Sequence, residues 1–240
     1  MRTTSASIRP RFSLKVALVG ATVLAGLGVA AAPASAAPCD TVNIIVAKPG
    51  KTTEGTICAD KIYGTTGNDV INGNGGDDEI NGGGGHDTLS GGSGQDDIWG
   101  ASGNDVIDGG SGDDLLFGSD GNDYVNGNLG TDTIRGENGN DVLYSFAGYG
   151  VNDGNDWLLG GDGNDHLQGG EGSDYSEGGF GDDTFSSNES NPVYDYFVGQ
   201  AGKDSYFVKD AGDQEWSNRD AIDVDNFDAT VEKNGGDSIQ

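Results

Sequence analysis

From Gly64 to Tyr144 the chain repeats itself every nine residues without a gap, in units beginning at Gly64, Gly73, Gly82, Gly91, Gly100, Gly109, Gly118, Gly127 and Gly136. After a six-residue break, SFAGYG at 145–150, four more units begin at Val151, Gly160, Gly169 and Gly178, and an isolated one, GQAGKDSYF, begins at Gly199. In all 14 units the fourth place is Gly and the sixth is Asp, and the first is Gly in all but the Val151 unit. The eighth place is apolar or aromatic everywhere except at Ser176. So strict a period marks one small unit, copied and stacked. Three residues around the eighth place, such as Val70-Ile71-Asn72, suit a short strand whose middle side chain points inward. The preceding Gly-x-x-Gly-x-Asp suits a turn, because Gly reaches positive φ without steric cost. A three-residue strand cannot bury a face alone. The units therefore stack two per coil, with like strands 18 residues apart and eighth-place side chains meeting in a thin core.

The sixth place supplies a column of carboxylates: Asp69, Asp78, Asp87, Asp96, Asp105, Asp114, Asp123, Asp132, Asp141, Asp156, Asp165, Asp174, Asp183 and Asp204. In a stacked coil each lies close to the Asp 18 residues later, and such carboxylates repel unless a cation sits between them. Calcium suits the place, because it takes six to eight oxygens at flexible angles and glycine turns expose backbone carbonyls. Magnesium demands stricter octahedral geometry. Zinc lacks its Cys or clustered His. The units resemble the GGxGxDxUx repeat of the RTX, or haemolysin-type, calcium-binding family. The resemblance covers residues 64–207 and implies an all-β parallel β-roll with calcium held between neighbouring turns. One apolar side chain per nine glycine-rich residues cannot fold such a roll unaided, so metal binding is expected to supply much of the folding free energy. Asp105 has partners at Asp87 and Asp123, whereas Asp204 follows a stretch, 187–198, that breaks the period, and is expected to stand apart from the roll. Fifth-place Asp77, Asp113 and Asp182, like Asn68, Asn104, Asn122, Asn140, Asn155 and Asn164, read as residues tolerating a left-handed turn conformation, ahead of direct ligation.

The two ends differ from the repeats. Residues 1–36 carry Arg2, Arg9, Arg11 and Lys15, then an apolar run, then Ala34-Ser35-Ala36, which is the pattern of a cleaved secretory signal peptide. Its removal leaves eight Lys and Arg against 40 Asp and Glu, a net charge of −32. That charge repels phosphate backbones and anionic lipid, so neither nucleic acid nor a membrane is an expected partner once the signal is cleaved. In residues 37–63, Cys39 and Cys58 read as one disulfide in an exported, extracellular protein, stapling a hairpin-like cap in which KPGKTTEG turns behind TVNIIVA. A free or metal-binding pair is the other reading, although no CxxC spacing or nearby His supports it. Residues 208–240 form an acidic C-terminal segment.

No HExxH, GxSxG or phosphate loop is present, and the histidines, His86 and His166, fall at different variable places of their units. The chain therefore reads as a secreted calcium-binding protein and not as an enzyme. The alternatives are a calcium-stiffened adhesion or cell-surface matrix protein with a cell-surface or glycan partner, and a carbohydrate-acting enzyme on a β-solenoid. Ninth-place Trp99, Phe117, Arg135 and Leu159 align on one outer face if SFAGYG loops out without changing phase.

Overall fold

The computed structural model describes residues 39, 41–148, 151, 153–189, 195–210 and 221–223. The signal peptide read at 1–36, and the C-terminal segment apart from 208–210 and 221–223, lie outside the described residues. Within them the chain forms two parallel sheets of ten and nine strands and no helix. Neighbours in a sheet are alternate strands of the chain, so the fold is a solenoid with two strands per coil. In the nine-stranded sheet Ile71 pairs with Leu89 and Leu89 with Ile107; in the ten-stranded sheet Ile80 pairs with Ile98 and Ile98 with Leu116. This 18-residue register is that of the expected parallel β-roll.

Eighth-place side chains from both sheets fill the interior, from Ile62 to Tyr206. Ser176 is also fully buried, opposite Leu158 and Phe197 in the sheet. Phe185 packs its ring 5.6 Å from that of Phe197 and 5.0 Å from that of Tyr206.

The strands are longer than the three residues expected. A typical one, Val70–Gly75, runs from the seventh place through the third place of the next unit, leaving only the fourth to sixth places as turn. Pairing survives a bend at the second place, where Asn74, Ala101, Ser119 and Gly83 take positive φ. At the fourth place the demand for Gly is steric as well as conformational: Gly103 has φ +133°, and a Cβ there would lie 1.5 Å from the Gly85 carbonyl oxygen.

Three expectations need correction. Asn43–Val46 and Thr52–Glu54 do not form a hairpin; they pair in parallel with Asp60–Thr65 and Val70–Gly75, in different sheets. The reason is an unrecognised unit beginning at Gly55, which keeps Asp60 and Ile62 at the sixth and eighth places and replaces only the fourth-place Gly with Cys58. Cys58 is bridged to Cys39, Cα atoms 5.3 Å apart. At the other end the roll does not stop near Ser186: Tyr196–Ala201 pairs with Tyr175–Phe180, and Ser205–Asp210 pairs with Thr184–Glu189. Finally, the first residue of SFAGYG does not loop out. Ser145 takes the first place of its coil, donating its N–H to Gln168 O as Gly55 does to Asn72 O. The excursion that follows preserves phase, since Ile134 pairs with Leu158 and Arg135 with Leu159.

Trp99, Phe117, Arg135 and Leu159 do align on the outer face of the ten-stranded sheet. Trp99 and Phe117 stack at 5.6 Å and 4°, and the Arg135 guanidinium lies 5.9 Å from the Phe117 ring. Seventh-place Trp157, Tyr175 and Tyr196 form a second ladder on the same face, with centroids 5.1 and 5.4 Å apart.

Candidate metal centre

Because the sixth place closes a tight turn, every sixth-place Asp from Asp69 to Asp204 is buried at one of the two edges of the coil. Two columns result, and each carboxylate reaches toward the preceding coil. Asp96 Oδ1 accepts the N–H of Asp78 at 2.8 Å, Asp114 that of Asp96 at 2.9 Å and Asp132 that of Asp114 at 2.8 Å. The other column repeats this through Asp87, Asp105, Asp123 and Asp141. Neighbouring carboxylates are thus tied by a backbone donor as well as set against each other by charge. The column does not end early: Asp204 accepts the Asp183 N–H at 3.0 Å, so it belongs to the roll and does not stand apart. Two further members lie outside the 14 units. Asp60 donates its N–H to Asp78 Oδ1, and Asp195 accepts from Asp174. Gly55, Asp60 and Ile62 carry the signal of the first, whereas the second retains only the Asp-x-Phe spacing.

The second carboxylate oxygen is where the chemistry lies. Oδ2 of Asp78, Asp87, Asp96, Asp105, Asp114, Asp123, Asp141, Asp156, Asp165, Asp174 and Asp183 is buried with no hydrogen-bond donor, and so is Oδ1 of Asp69. Burial, reinforced in part by neighbouring carboxylates, pushes Asp114, Asp156 and Asp174 up to about 8, and Asp78, Asp141 and Asp183 up to about 7. An ionised carboxylate does not stay buried without a partner. First-place glycines leave space around these oxygens: a Cβ at Gly91 would stand 2.3 Å from Asp96 Oδ2, and one at Gly109 2.5 Å from Asp114 Oδ2.

This all-oxygen donor set fits calcium. No three Asp, Glu, His or Cys side chains converge into a metal cluster among the described residues. Backbone carbonyls would have to complete each site. The histidines stand elsewhere: His86 Nδ1 accepts the Asn104 N–H at 2.7 Å, and His166 packs edge-on against Tyr144.

Fifth-place side chains do something the sequence reading did not anticipate. They do not adopt positive φ, which falls at the second and fourth places. Instead their oxygens accept the N–H of the residue one coil later: Asn104 from Asn122 at 3.1 Å, Asn122 from Asn140 at 2.7 Å and Asp113 from Thr131 at 2.9 Å. Fifth and sixth places therefore clasp the coils in opposite directions.

The family model of the RTX calcium-binding nonapeptide repeat matches residues 55–89, 81–116, 90–125, 117–148 and 151–185. No curated protein matches the chain.

Proposed function

The chain belongs to the RTX calcium-binding nonapeptide repeat family, and on that premise we propose that it is a secreted calcium-binding module which folds as its carboxylate columns take up calcium. Calcium is the ion these repeats bind. The residues assigned to hold it are the sixth-place aspartates, Asp69 to Asp204, and the observation that carries the assignment is their run of buried, donorless oxygens. When bound, the ion supplies positive charge between coils. The protein supplies the turn that fixes each carboxylate and the glycine that leaves room beside it. Secretion is supported by the leader-like residues 1–36 and by the Cys39–Cys58 bridge, a bond that persists in oxidising surroundings.

Circular dichroism of the mature chain tests this reading. In excess chelator at neutral pH it should be largely without β structure, and millimolar calcium should restore it, with site affinities of ~10⁻⁴ to 10⁻³ M. Equal β content in both conditions would refute the coupling of folding to calcium.

A second reading, a calcium-stiffened adhesion or cell-surface module, is favoured by the aromatic face of the ten-stranded sheet, where Trp157 is 55% exposed. A glycan-binding screen with and without calcium, together with cell fractionation, separates it from a free module.

A further inference from the structure

The coil at the break in the repeat differs chemically from the regular coils. From Gly55 to Gly199 the described first places are glycine except at Ser145 and at Ser187, which follows ninth-place Ser186. The exclusion is steric: at Gly127, one coil earlier, a Cβ would lie 2.3 Å from Asp132 Oδ2, and at Gly169, one coil later, 2.2 Å from Asp174 Oδ2. Ser145 is wholly buried, and its Oγ lies 3.4 Å from Asp132 Oδ2. Asp156 is the next member of that column, its Oδ1 accepting the Asp132 N–H at 2.7 Å; the residue is 0% exposed and its Oδ2 has no donor. A side-chain oxygen has thus been placed where the regular coils have only the space left by glycine. Oxygens about 3.4 Å apart suit two ligands of one calcium ion, which binds oxygen at about 2.3–2.6 Å.

The break brings charge as well. Asp153 and Glu171 stand at third places, yet both are buried, whereas third-place Asp120 and Asp162 are exposed. Both Asp153 oxygens are engaged by backbone, Oδ1 with the Glu171 N–H at 2.8 Å and Oδ2 with the Ala147 N–H at 3.1 Å. Asp153 is therefore held rigidly as a negative charge beside the site and is not itself a ligand. It lies near enough to Asp132, Asp156 and Asp174 for their charges to oppose one another.

We propose that Asp132 Oδ2, Ser145 Oγ and Asp156 Oδ2 form a distinct calcium site at the break, with Asp153 as a fixed adjacent charge, and that this site binds more tightly than those of the regular coils. It has one more side-chain oxygen than the regular coils, and its added carboxylate is buried where Asp77 and Asp113, beside other sixth-place aspartates, are exposed; ligand number and charge set calcium affinity. In a solenoid whose coils stabilise their neighbours, the tightest site fills first and holds together the coils on either side of the break. The proposal rests on the reading that sixth-place carboxylates hold calcium.

Ser145→Gly tests it without threatening the fold, because it installs the glycine found at the first places of the regular coils. Isothermal titration with calcium, followed in parallel by circular dichroism, should show the tightest binding phase weakened by roughly 10- to 100-fold, the loss seen when groups supporting a metal site are removed. Asp153→Asn, which keeps an acceptor for one of its two backbone donors and removes the charge, should weaken the same phase and leave the weaker phases alone. If Ser145→Gly leaves the titration unchanged or tightens it, the hydroxyl is a neutral bridge standing in for an ion and the proposal is overturned. If the unaltered chain takes up no calcium at all, the broader reading falls, and the proposal with it.

Discussion

The first coil and the middle of the roll place the same residue in the same turn and satisfy it by different means. Asp60 is buried at a sixth place, with Oδ1 accepting from Asn43 Nδ2 at 2.5 Å and Oδ2 from the Thr56 N–H at 2.5 Å. Asp114, seen from the same column three coils on, has one oxygen on the Asp96 N–H and the other on nothing. The first coil closes with protein donors and a disulfide; the interior is left open for a cation. A half-buried ion pair, Lys61 to Glu79, joins the first coil to the next. The roll thus carries a metal-independent start on which metal-dependent coils stack.

The largest effect that sharpens this contrast is the replacement of calcium by protons. Asp114, Asp156 and Asp174 are raised in the folded chain from 3.8 to about 8, chiefly by burial, and Asp87, Asp96, Asp123 and Asp165 to about 6. Between those limits the metal-free folded chain binds protons that the unfolded chain has released. Its stability is therefore greatest below the unfolded value and falls as pH rises from about 4 to about 8. In chelator, circular dichroism at about pH 5 should show β structure that disappears by about pH 8, and calcium should restore it at the higher pH. A metal-free chain equally unfolded at both would mean that carboxylate charge is not what keeps the interior coils apart.

A single pair of substitutions breaks the comparison at residue level. Asp114→Asn keeps an acceptor for the Asp96 N–H but removes the charge that burial opposes. It should lower the calcium count measured by titration while making the metal-free chain more resistant to unfolding at pH 8. Asp60→Asn should cost stability and no calcium. It weakens charge-assisted bonds from Thr56 and Asn43, costing about 1.5–3 kcal/mol in denaturant unfolding of the calcium-loaded chain, with the calcium count unchanged. If both variants lose calcium equally, the first coil is a metal site like the others.

How much of this was legible depended on which constraint each residue obeyed. The period alone placed Ile71 opposite Leu89 and Asp96 beside Asp114, because a strict repeat fixes register. It failed where a single substitution hid a unit. Cys58 in place of the fourth-place Gly concealed the Gly55 coil, and Asp195 with Phe197 lacks the glycines that announce one. It also misjudged direction: Asn43–Val46 and Thr52–Glu54 sit at hairpin spacing, and only the coil to which each belongs makes them parallel. The role of Ser145 was illegible because a serine opening an apparent insertion looks like loop, and its place in the coil is marked by a backbone bond to Gln168, 23 residues away.

The smallest effect separates the fifth column from the sixth. Asn122 is exposed, and its Oδ1 takes the Asn140 N–H at 2.7 Å, while the adjacent Asp123 is buried and reaches the Asp105 N–H at 2.8 Å in the opposite direction. Asn122→Ala removes one neutral hydrogen bond from a position where water can replace it, a loss of about 0.5–1.5 kcal/mol. The bond from the Asn122 N–H to Asn104 is a backbone donation and survives the change. Denaturant unfolding in calcium should register that small loss, and calcium titration should register none. Asp123→Ala, one residue on, should remove an ion and reduce the cooperativity of folding, since its Oδ2 faces no protein donor. Should Asn122→Ala also cost an ion, the fifth-place oxygens would be ligands, and the two adjacent columns would be one metal-binding surface in place of a clasp beside a cage.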